Sequence, residues 1–503
     1  MINLNDFPYV NHFDIPKTSV VEEDVFPESI EGNSELNEGM ELVADFGEET
    51  VGKCYFTLEG KGCVTVFYGE SVEELYSTKE QNSNDWYRMP TDVFETDGAA
   101  RVYASSSRRG FRYFRILCTN GTVKLVSSRV SHTHYAIKEE KTFFSKEPLL
   151  SDIWNICKRT TLLCMQEFFE DGIKRDGILW LGDARMQALC AQTCFGDSEL
   201  TRTSLLRIAN SQRSNGILYA NAIWSGAHGC PHNIDYMFRN VKNPKLSAEE
   251  SFPAGCGKLH YVQYSVDFIN MAWEYYDFSK DEKTISELFP FMKRDLDYLL
   301  ALNEEEIHKK LLPSPSQAKV ARDCIDQGGF LSTYYAFLVY GLENYKKICT
   351  LLGEKDEYAR AVSEKNKYTA KVRKFFESGV CYDTDRSGDS MYPVSAPTMA
   401  FLSGCLDRQE YLAAMKGIEG KAALIVDGYW KYLELCAMFE AGLYDTAMEK
   451  LRLYWGTMLK YGATTCWEHL DPENLYILKD FVISRCHGWS AGAAVLLKKY
   501  VEK

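Results

Sequence analysis

The sequence is short of positive charge. It carries 57 Lys and Arg against 71 Asp and Glu, which gives a formal net charge of −14 at pH 7. Phosphate backbones and anionic lipid surfaces attract the opposite balance, and the chain contains no basic block. We therefore expect neither a nucleic acid nor a membrane as a partner, and the composition favours a small uncharged ligand.

Signals for export and for membrane insertion are also lacking. Residues 1–7 contain neither the basic nor the apolar segment of a secretory signal, and no apolar run approaches the ~20 residues that cross a bilayer. The 16 cysteines include no C-x-x-C pair, and many lie in helical apolar patterns. This predicts reduced, buried thiols in a cytoplasmic protein, and a homo-oligomer is compatible with the sequence.

The common cofactor and nucleophile motifs are missing as well. The chain has no nucleotide-binding fingerprint and no nucleophile elbow. His228, Cys230 and His232 are residue types that ligate metals, but no partner cluster with zinc spacing follows them. We expect no metal and no organic cofactor.

The N-terminal part of the sequence is rich in predicted β-strands. No element is predicted for residues 1–39. From about 40 to 135, short alternating runs at 53–58, 64–68, 101–104, 111–118 and 123–126 predict strands, with turns predicted at 59–62 and 119–122. Strands this short and regularly spaced are typical of an antiparallel β-sandwich.

After about residue 140 the apolar period changes to that of helices. Helices are predicted at 149–169, 183–194, 200–211, 261–278, 283–302, 330–352, 357–377, 409–415, 429–441, 445–461 and 489–501, with a further candidate within 390–405. Consecutive amphipathic helices must bury their apolar stripes against one another. No repeat period typical of a solenoid is present, so the pattern favours a closed toroid.

The first segment with candidate chemistry runs from residue 170 to 183. It places Asp171, Arg175, Asp176 and Asp183 around Trp180. An arginine among carboxylates can hold one of them ionised while a more buried one keeps its proton, which is the asymmetry that acid-catalysed glycoside cleavage needs. The alternative is a helix–helix corner neutralised by ion pairs.

The second segment contains a glutamate between aromatic and imidazole neighbours. It reads Gly462-Ala463-Thr464-Thr465-Cys466-Trp467-Glu468 and is followed by Cys486-His487-Gly488-Trp489. Glu468 is placed to act as a general base on water, with His487 orienting water or sugar. The alternative is that Glu468 caps a helix and His487 is a hydrogen-bonded core residue.

Together these segments resemble glycoside hydrolase family 78, the α-L-rhamnosidases. That family has an Asp-Cys-Pro-Gln-Arg-Asp-Glu-Arg-Leu-Gly-Trp-Thr-Gly-Asp stretch and, far downstream, Gly-Ala-Thr-Thr-x-Trp-Glu. This chain also resembles the N-terminal β-sandwich of that family at four motifs: Asp45-Phe46-Gly47, Val51-Gly52, Tyr68-Gly69-Glu70 and Arg109-Gly110-Phe111-Arg112-Tyr113. The resemblance implies a multidomain, mainly α protein, with a β-sandwich at 1–138 followed by an (α/α)6 barrel at 139–503.

The resemblance also implies a function and a set of site residues. Family 78 enzymes are inverting hydrolases that remove terminal α-L-rhamnose. By position, Glu468 resembles the general base, Asp171 and Arg175 resemble residues that hold sugar hydroxyls, and Trp180, Asp183 and His487 resemble further substrate contacts. Three further candidates for substrate contact are Trp467 beside Glu468, Asp326 on a loop that precedes a helix, and Trp430 at a helix start, although capping or core packing would also explain the last two.

One departure from the family pattern concerns the general acid. Where the family has Arg-Asp-Glu-Arg-Leu-Gly-Trp, this chain has Arg175-Asp176-Gly177-Ile178-Leu179-Trp180, one residue shorter and without the glutamate. Either Asp176 supplies the proton, or another residue does, or cleavage is lost. The chain also ends 14 residues after Trp489, so we expect the family's C-terminal β-domain to be absent.

The leading hypothesis is inverting hydrolysis with Glu468 as base and Asp176 as acid. It predicts that their carboxyl groups lie about 6.5–9.5 Å apart. The alternatives are another six-hairpin glycosidase or a lyase that acts on a modified sugar, and a carbohydrate-binding pseudo-enzyme without a competent acid.

Overall fold

The protein consists of a strand-rich part followed by a helical part. A computed structural model describes residues 13–77, 91–174, 177–222, 260–312, 325–385, 388–475 and 478–502. Within these ranges the last long strand ends at Tyr135 and the first long helix begins at Pro148. Each part has its own large hydrophobic core. The domain boundary after residue 138 stays a prediction.

Within the described residues, six antiparallel strands form one sheet. They are β1 (Val20–Val25), β2 (Ser29–Gly32), β3 (Glu35–Asn37), β4 (Glu41–Gly69), β5 (Thr91–Ala104) and β6 (Arg109–Tyr135), with a one-turn helix α1 (Val72–Leu75) after β4. β6 pairs with β1, β3 and β4, and β4 pairs also with β2 and β5. All five predicted strands lie within β4, β5 and β6, whereas β1 to β3 were not predicted.

The two predicted turns at 59–62 and 119–122 are wrong. These segments lie inside β4 and β6 and pair with each other, Gly62 opposite Gly121. Gly60 and Gly121 have φ of 105° and 75°, a backbone conformation that glycine adopts without steric cost. A Cβ on Gly62 would lie 2.2 Å from the Asn120 carbonyl oxygen. The glycines therefore permit register shifts and close strand approach instead of ending the strands.

One face of this sheet covers a core. Buried and exposed residues alternate along much of β4 and β6, because successive side chains of a strand point to opposite faces. The buried set includes Phe56, Phe111 and Phe114. The division into two packed sheets stays a prediction, since the hydrogen-bond ladder joins all six strands.

The long helices of the second part agree with the predicted ones. The helices of this part are α2 (Pro148–Cys164), α3 (Leu181–Phe195), α4 (Glu199–Asn210), α5 (Val262–Ser279), α6 (Glu282–Ala301), α7 (Glu304–His308), α8 (Leu331–Leu352), α9 (Lys355–Lys374), α10 (Ser395–Leu402), α11 (Arg408–Gly417), α12 (Gly428–Glu440) and α13 (Tyr444–Lys460). Of these, the short α7 was not predicted. A short hairpin of β7 (Asp383–Thr384) and β8 (Ser390–Met391) precedes α10. The helix predicted at 149–169 ends at Cys164, because Met165 pairs with Phe169 in a β-bridge.

The chain ends in a mixed helical segment. It begins with a 3₁₀ turn (Gly488–Gly492), continues as α14 (Ala493–Leu496) and finishes with a π turn (Leu497–Val501). α3, α5, α8, α10, α12 and this terminal segment contact one another in that order, and the terminal segment contacts α3 again. Nearly all residues of α3 are buried, whereas α9, which packs on α8, buries only Ala361, Tyr368 and Val372.

Two further properties of the described ranges bear on the sequence analysis. All cysteines in them are free, and all but Cys63 are buried. None of the helices placed there has both the length and the apolar character needed to span a bilayer.

Candidate active site

A pocket opens between helices α3, α5, α8 and α12 and the terminal helical segment. Its described lining consists of five carboxylates, one imidazole, seven aromatic side chains and four other residues. They are Asp171, Asp183, Asp267, Asp427, Glu468, His487, Trp180, Tyr261, Tyr264, Phe337, Tyr429, Trp430, Trp489, Gly182, Gln263, Leu312 and Gln327. The lining is therefore acidic and rich in aromatic rings.

The first predicted segment reaches the pocket through a closed loop between α2 and α3. The Asp171 N–H donates to the Ile178 carbonyl (3.1 Å), and the Ile178 N–H donates to Asp171 Oδ1 (3.0 Å). Gly177 has φ of 61°, which favours glycine in the turn. This loop holds the Asp171 carboxylate at the pocket, where the residue is 3 % exposed.

Asp183 comes from the first turn of α3 and is equally buried. The positive end of the helix dipole at this position favours a negative side chain. Trp180 precedes the same helix and forms part of the wall. Arg175 and Asp176 lie outside the described residues, so the predicted acid–base distance stays a prediction.

The second predicted segment presents Glu468 from the chain that follows α13. Glu468 and Ser484 exchange two hydrogen bonds: the Glu468 N–H donates to the Ser484 carbonyl (2.9 Å), and the Ser484 N–H donates to Glu468 Oε2 (2.9 Å). The Trp489 indole N–H donates to the Glu468 carbonyl (3.0 Å). Backbone and side chain of Glu468 are thus both fixed by the 484–489 segment.

The two segments meet at His487. Gly172 and His487 form an antiparallel β-bridge, and the Gly488 N–H donates to the Asp171 carbonyl (2.7 Å). The His487 ring lies between two carboxylates, with Nε2 3.8 Å from Asp171 Oδ2 and Nδ1 3.7 Å from Asp183 Oδ1. Residues more than three hundred positions apart in the chain therefore share one pocket.

Two glycines allow aromatic rings to close around this pocket. A Cβ on Gly182 would lie 2.3 Å from Cε1 of Tyr264, and a Cβ on Gly328 would lie 1.9 Å from Cζ2 of Trp430. Gly328 also has a φ of 73°, which disfavours other residues. The aromatic wall thus depends on the absence of side chains at both positions.

A buried network that the sequence did not reveal forms another part of the lining. Asp267 on α5 accepts hydrogen bonds from Arg185 Nη1 (2.9 Å) and from the Tyr429 hydroxyl (2.9 Å to Oδ2). Arg185 also pairs with Glu274 (2.6 Å). Burial raises the pKa of Asp267 to about 7 despite the arginine. Asp267 lies in a helix of ordinary amphipathic pattern, so no local signal distinguished it from a core polar residue.

Asp427 is a second lining carboxylate that the sequence analysis did not single out. Its Oδ1 accepts the Trp430 N–H (2.8 Å) and so caps α12, whereas its buried Oδ2 has no hydrogen-bond partner among the described residues. Burial, and then the negative charge of Asp326, raise the pKa of Asp427 to about 7. Such a carboxyl holds its proton up to near neutral pH.

Two predicted substrate contacts are not part of the lining. Asp326 is fully buried, and its carboxylate accepts hydrogen bonds from the Ser395 N–H (2.6 Å), the Ser395 hydroxyl (2.7 Å) and the Gly328 N–H (2.9 Å). Trp467 is 2 % exposed and lies under the Arg485 guanidinium. Both side chains are buried against protein groups.

The remaining predicted residues either line the pocket or lie outside the described residues. Asp171, Trp180, Asp183, Trp430, Glu468 and His487 line the pocket. Tyr429 and Gln327, which lie beside predicted residues, line it too. His228, Cys230 and His232 lie outside the described residues. In the part of the chain that is described, no group of three or more His, Cys, Asp or Glu side chains is arranged to hold a metal ion.

Two family models match the sequence. The model described as the bacterial alpha-L-rhamnosidase six-hairpin glycosidase domain matches residues 138–395, just over half of the chain. A model described as the N-terminal domain of alpha-rhamnosidase-like proteins of bacteroidetes matches residues 22–116. No curated protein sequence matches the chain.

Solved structures of similar fold cover almost the whole chain. A rhamnosidase from Klebsiella oxytoca with rhamnose bound is 20 % identical, with a TM-score of 0.77 over 96 % of either chain. The family 78 rhamnosidase of Bacillus sp. GL1 is 20 % identical (TM-score 0.70), and 91 % of this chain covers 46 % of it. An α-L-rhamnosidase from Dictyoglumus thermophilum is 18 % identical (TM-score 0.71), and 97 % of this chain covers 52 % of it. The chain thus spans nearly all of the first protein and about half of the other two.

Proposed function

This chain belongs to the family of bacterial α-L-rhamnosidases with a six-hairpin glycosidase domain, and on that premise we propose that it hydrolyses terminal α-L-rhamnosyl residues with inversion. The substrate in this proposal is a small glycoside or oligosaccharide. One observation carries it: Asp171, Trp180 and Asp183 line the same pocket as Glu468 and His487.

In the proposed reaction Glu468 is the general base. Its carboxylate takes a proton from a water molecule as the water oxygen attacks the anomeric carbon from the face opposite the leaving group. The bond to the leaving oxygen breaks with its electron pair, and an acid supplies a proton to that oxygen. The hydrogen bond from the Ser484 N–H to Oε2 supports this role, because it fixes the orientation of the base.

For the acid we propose Asp176, whose place in the sequence matches the family's acidic segment. Asp427 supports an alternative, since it lines the pocket and its pKa of about 7 keeps a proton available. An acid is needed most when the leaving group is poor. An Asp176→Asn variant should therefore lose far more activity on a natural rhamnoside than on a nitrophenyl rhamnoside.

Binding of a neutral sugar agrees with the chemistry of the pocket. Carboxylates and the imidazole accept hydrogen bonds from hydroxyl groups, and the aromatic rings offer flat apolar surfaces. Among the described lining residues there is no Lys or Arg. A uronic acid would bring its own negative charge into this acidic lining, and this disfavours a lyase or glycosidase acting on acidic sugars.

We also propose an architecture for the two parts. The contact order α3, α5, α8, α10, α12 and terminal segment supports the inner ring of an (α/α)6 barrel at 139–503. The outer ring of this proposal consists of the helices that contact them, α2, α4, α6, α9, α11 and α13. Residues 1–138 would form the β-sandwich domain.

The test is hydrolysis of 4-nitrophenyl α-L-rhamnoside followed by NMR of the sugar. Inversion predicts that β-L-rhamnose appears first and mutarotates later. First appearance of the α-anomer would contradict the mechanism. Binding of L-rhamnose without release of nitrophenol would support the pseudo-enzyme instead.

A further inference from the structure

Glu70 lies at the junction of the sheet and the helices. It directly follows β4, belongs to the Tyr68-Gly69-Glu70 motif, and is 3 % exposed. Its carboxylate does not line the pocket. Burying a carboxylate is costly unless charged and hydrogen-bonding groups compensate for the lost water, so its partners indicate what it is for.

Two of these partners belong to the segment that holds the general base. Glu70 Oε1 accepts the Ser484 hydroxyl (3.1 Å), and Oε2 accepts the Arg485 N–H (2.7 Å). The Ser484 N–H is the group that donates to Glu468 Oε2. Ser484 by itself therefore links the Glu70 carboxylate to the Glu468 carboxylate.

The third partner belongs to the other catalytic segment. Lys174 Nζ lies 2.8 Å from Glu70 Oε2 and is 3 % exposed at its side chain. The same ammonium group donates to the carbonyls of Phe481 (2.8 Å) and Ile483 (3.1 Å). Lys174 follows Asp171 by three residues and directly precedes Arg175 and Asp176 in the sequence, so it joins the Asp171 segment to the 481–485 segment.

The neighbouring carboxylates stabilise the charged form of Lys174. Burial alone would lower the pKa of Lys174, but the negative charges of Glu70 and then Glu74 hold that pKa above its ordinary value. Hydrogen bonds between charged partners are short and directional. The pair can therefore fix backbone positions on both sides of it.

We propose that Glu70 is a positioning residue, which aligns the Glu468 base with the Asp171–Asp183 corner through Ser484, Arg485 and Lys174. In this inference the N-terminal sheet supplies part of the catalytic geometry without contacting substrate. The inference deepens the proposed rhamnosidase function and rests on it.

The test is the Glu70→Gln variant, which keeps the size of the side chain and removes its charge. The amide has one acceptor oxygen instead of two, so the contacts to Ser484, Arg485 and Lys174 cannot all be kept. Misplacement of a catalytic group by about 1 Å can lower a rate about 100-fold. We expect kcat on 4-nitrophenyl α-L-rhamnoside to fall about 10- to 100-fold, with the Kd for L-rhamnose within about threefold of the parent.

Asp92→Asn is the matched control. Asp92 is a buried carboxylate of the same sheet, paired with Arg109 at 3.0 Å and away from the pocket. It should lower the melting temperature and leave kcat of the folded enzyme unchanged. If Glu70→Gln lowers only the melting temperature, as the control does, the positioning role is overturned.

A second variant covers the case in which Glu70→Gln does not fold. Ser484→Ala removes the hydroxyl that Glu70 accepts and leaves the backbone bonds to Glu468 in place, so kcat should fall about 3- to 10-fold with little change in Kd. An unchanged kcat in Ser484→Ala would then overturn the proposal. A parent enzyme that is inactive on the rhamnoside would instead refute the proposed function, and this inference would fall with it.

Discussion

Replacing Glu468 by glutamine is the most direct test of the proposed chemistry. The substitution preserves the shape of the side chain and removes only its ability to take a proton. Glutamine Oε1 can still accept the Ser484 N–H, which now donates to Glu468 Oε2 at 2.9 Å. The bonds made by the Glu468 backbone do not depend on the side chain. The variant should therefore keep its fold and its affinity for L-rhamnose.

The expected loss of rate follows from the role and the burial of the carboxylate. General base catalysis contributes about 10²- to 10⁴-fold, or about 3–5 kcal/mol of the activation barrier. Glu468 is 6 % exposed, so in the variant a base from bulk solvent cannot readily reach the attacking water and replace the lost carboxylate. We expect kcat to fall toward the upper end of that range, with KM within about threefold of the parent.

Nitrophenol release measures kcat and KM, and calorimetry with L-rhamnose measures binding. Glu434→Gln serves as control, because Glu434 is an equally buried glutamate that pairs with Lys431 and Lys450 outside the pocket. It should lose stability and keep its kcat. A folded Glu468→Gln enzyme whose kcat lies within about tenfold of the parent would show that Glu468 is not the base.

Three further predictions concern pH and packing. The pKa of Asp427 is raised to about 7, so the folded state binds this proton more tightly than the unfolded state. The free energy of unfolding should therefore fall as pH rises from about 4 to about 7. Between pH 5 and pH 8, thermal melts should show a smaller change in melting temperature for Asp427→Asn than for the parent. Burial acts to raise the pKa of Glu434, but the ammonium groups of Lys431 and Lys450 lower it to about 2. Glu434→Gln should therefore lower the free energy of unfolding by about 3 kcal/mol at pH 7, and by progressively less as pH falls from about 4.5 to 2. Denaturant titrations measure this loss. Gly182→Ala should force the Tyr264 ring out of place, lower stability by about 1–3 kcal/mol and raise KM several-fold; an unchanged KM would show that this ring does not contact substrate.

Local patterns predicted the helices well and the sheet less well. A helix is stabilised by bonds within its own segment and buries one stripe, so period and caps locate it from sequence. A strand depends on partners elsewhere in the chain. Glycines at 60, 62 and 121 have the composition of turns, but pairing of β4 with β6 makes them bulges and close contacts inside long strands.

The pocket was predictable where residue types formed unusual local groups. Asp171, Trp180, Asp183, Glu468 and His487 stood out because carboxylates, rings and glycines cluster in segments that should be plain linkers. Asp267 and Asp427 did not, since a single acidic residue in or before a helix is ordinary. Only burial and a shared cavity distinguish them from surface acids.

The helical periodicity, the acidic balance of charge and the two segments whose residues line the pocket could be read from the order of residues, because each depends on residues close together in the chain. Only folding brings His487 between Asp171 and Asp183, leaves Asp326 and Trp467 out of the pocket lining, and places Glu70 in contact with Ser484, which bonds to Glu468. These facts depend on how distant segments close against one another, and hydrogen bonds and burial across such distances leave no periodic trace in the order of residues.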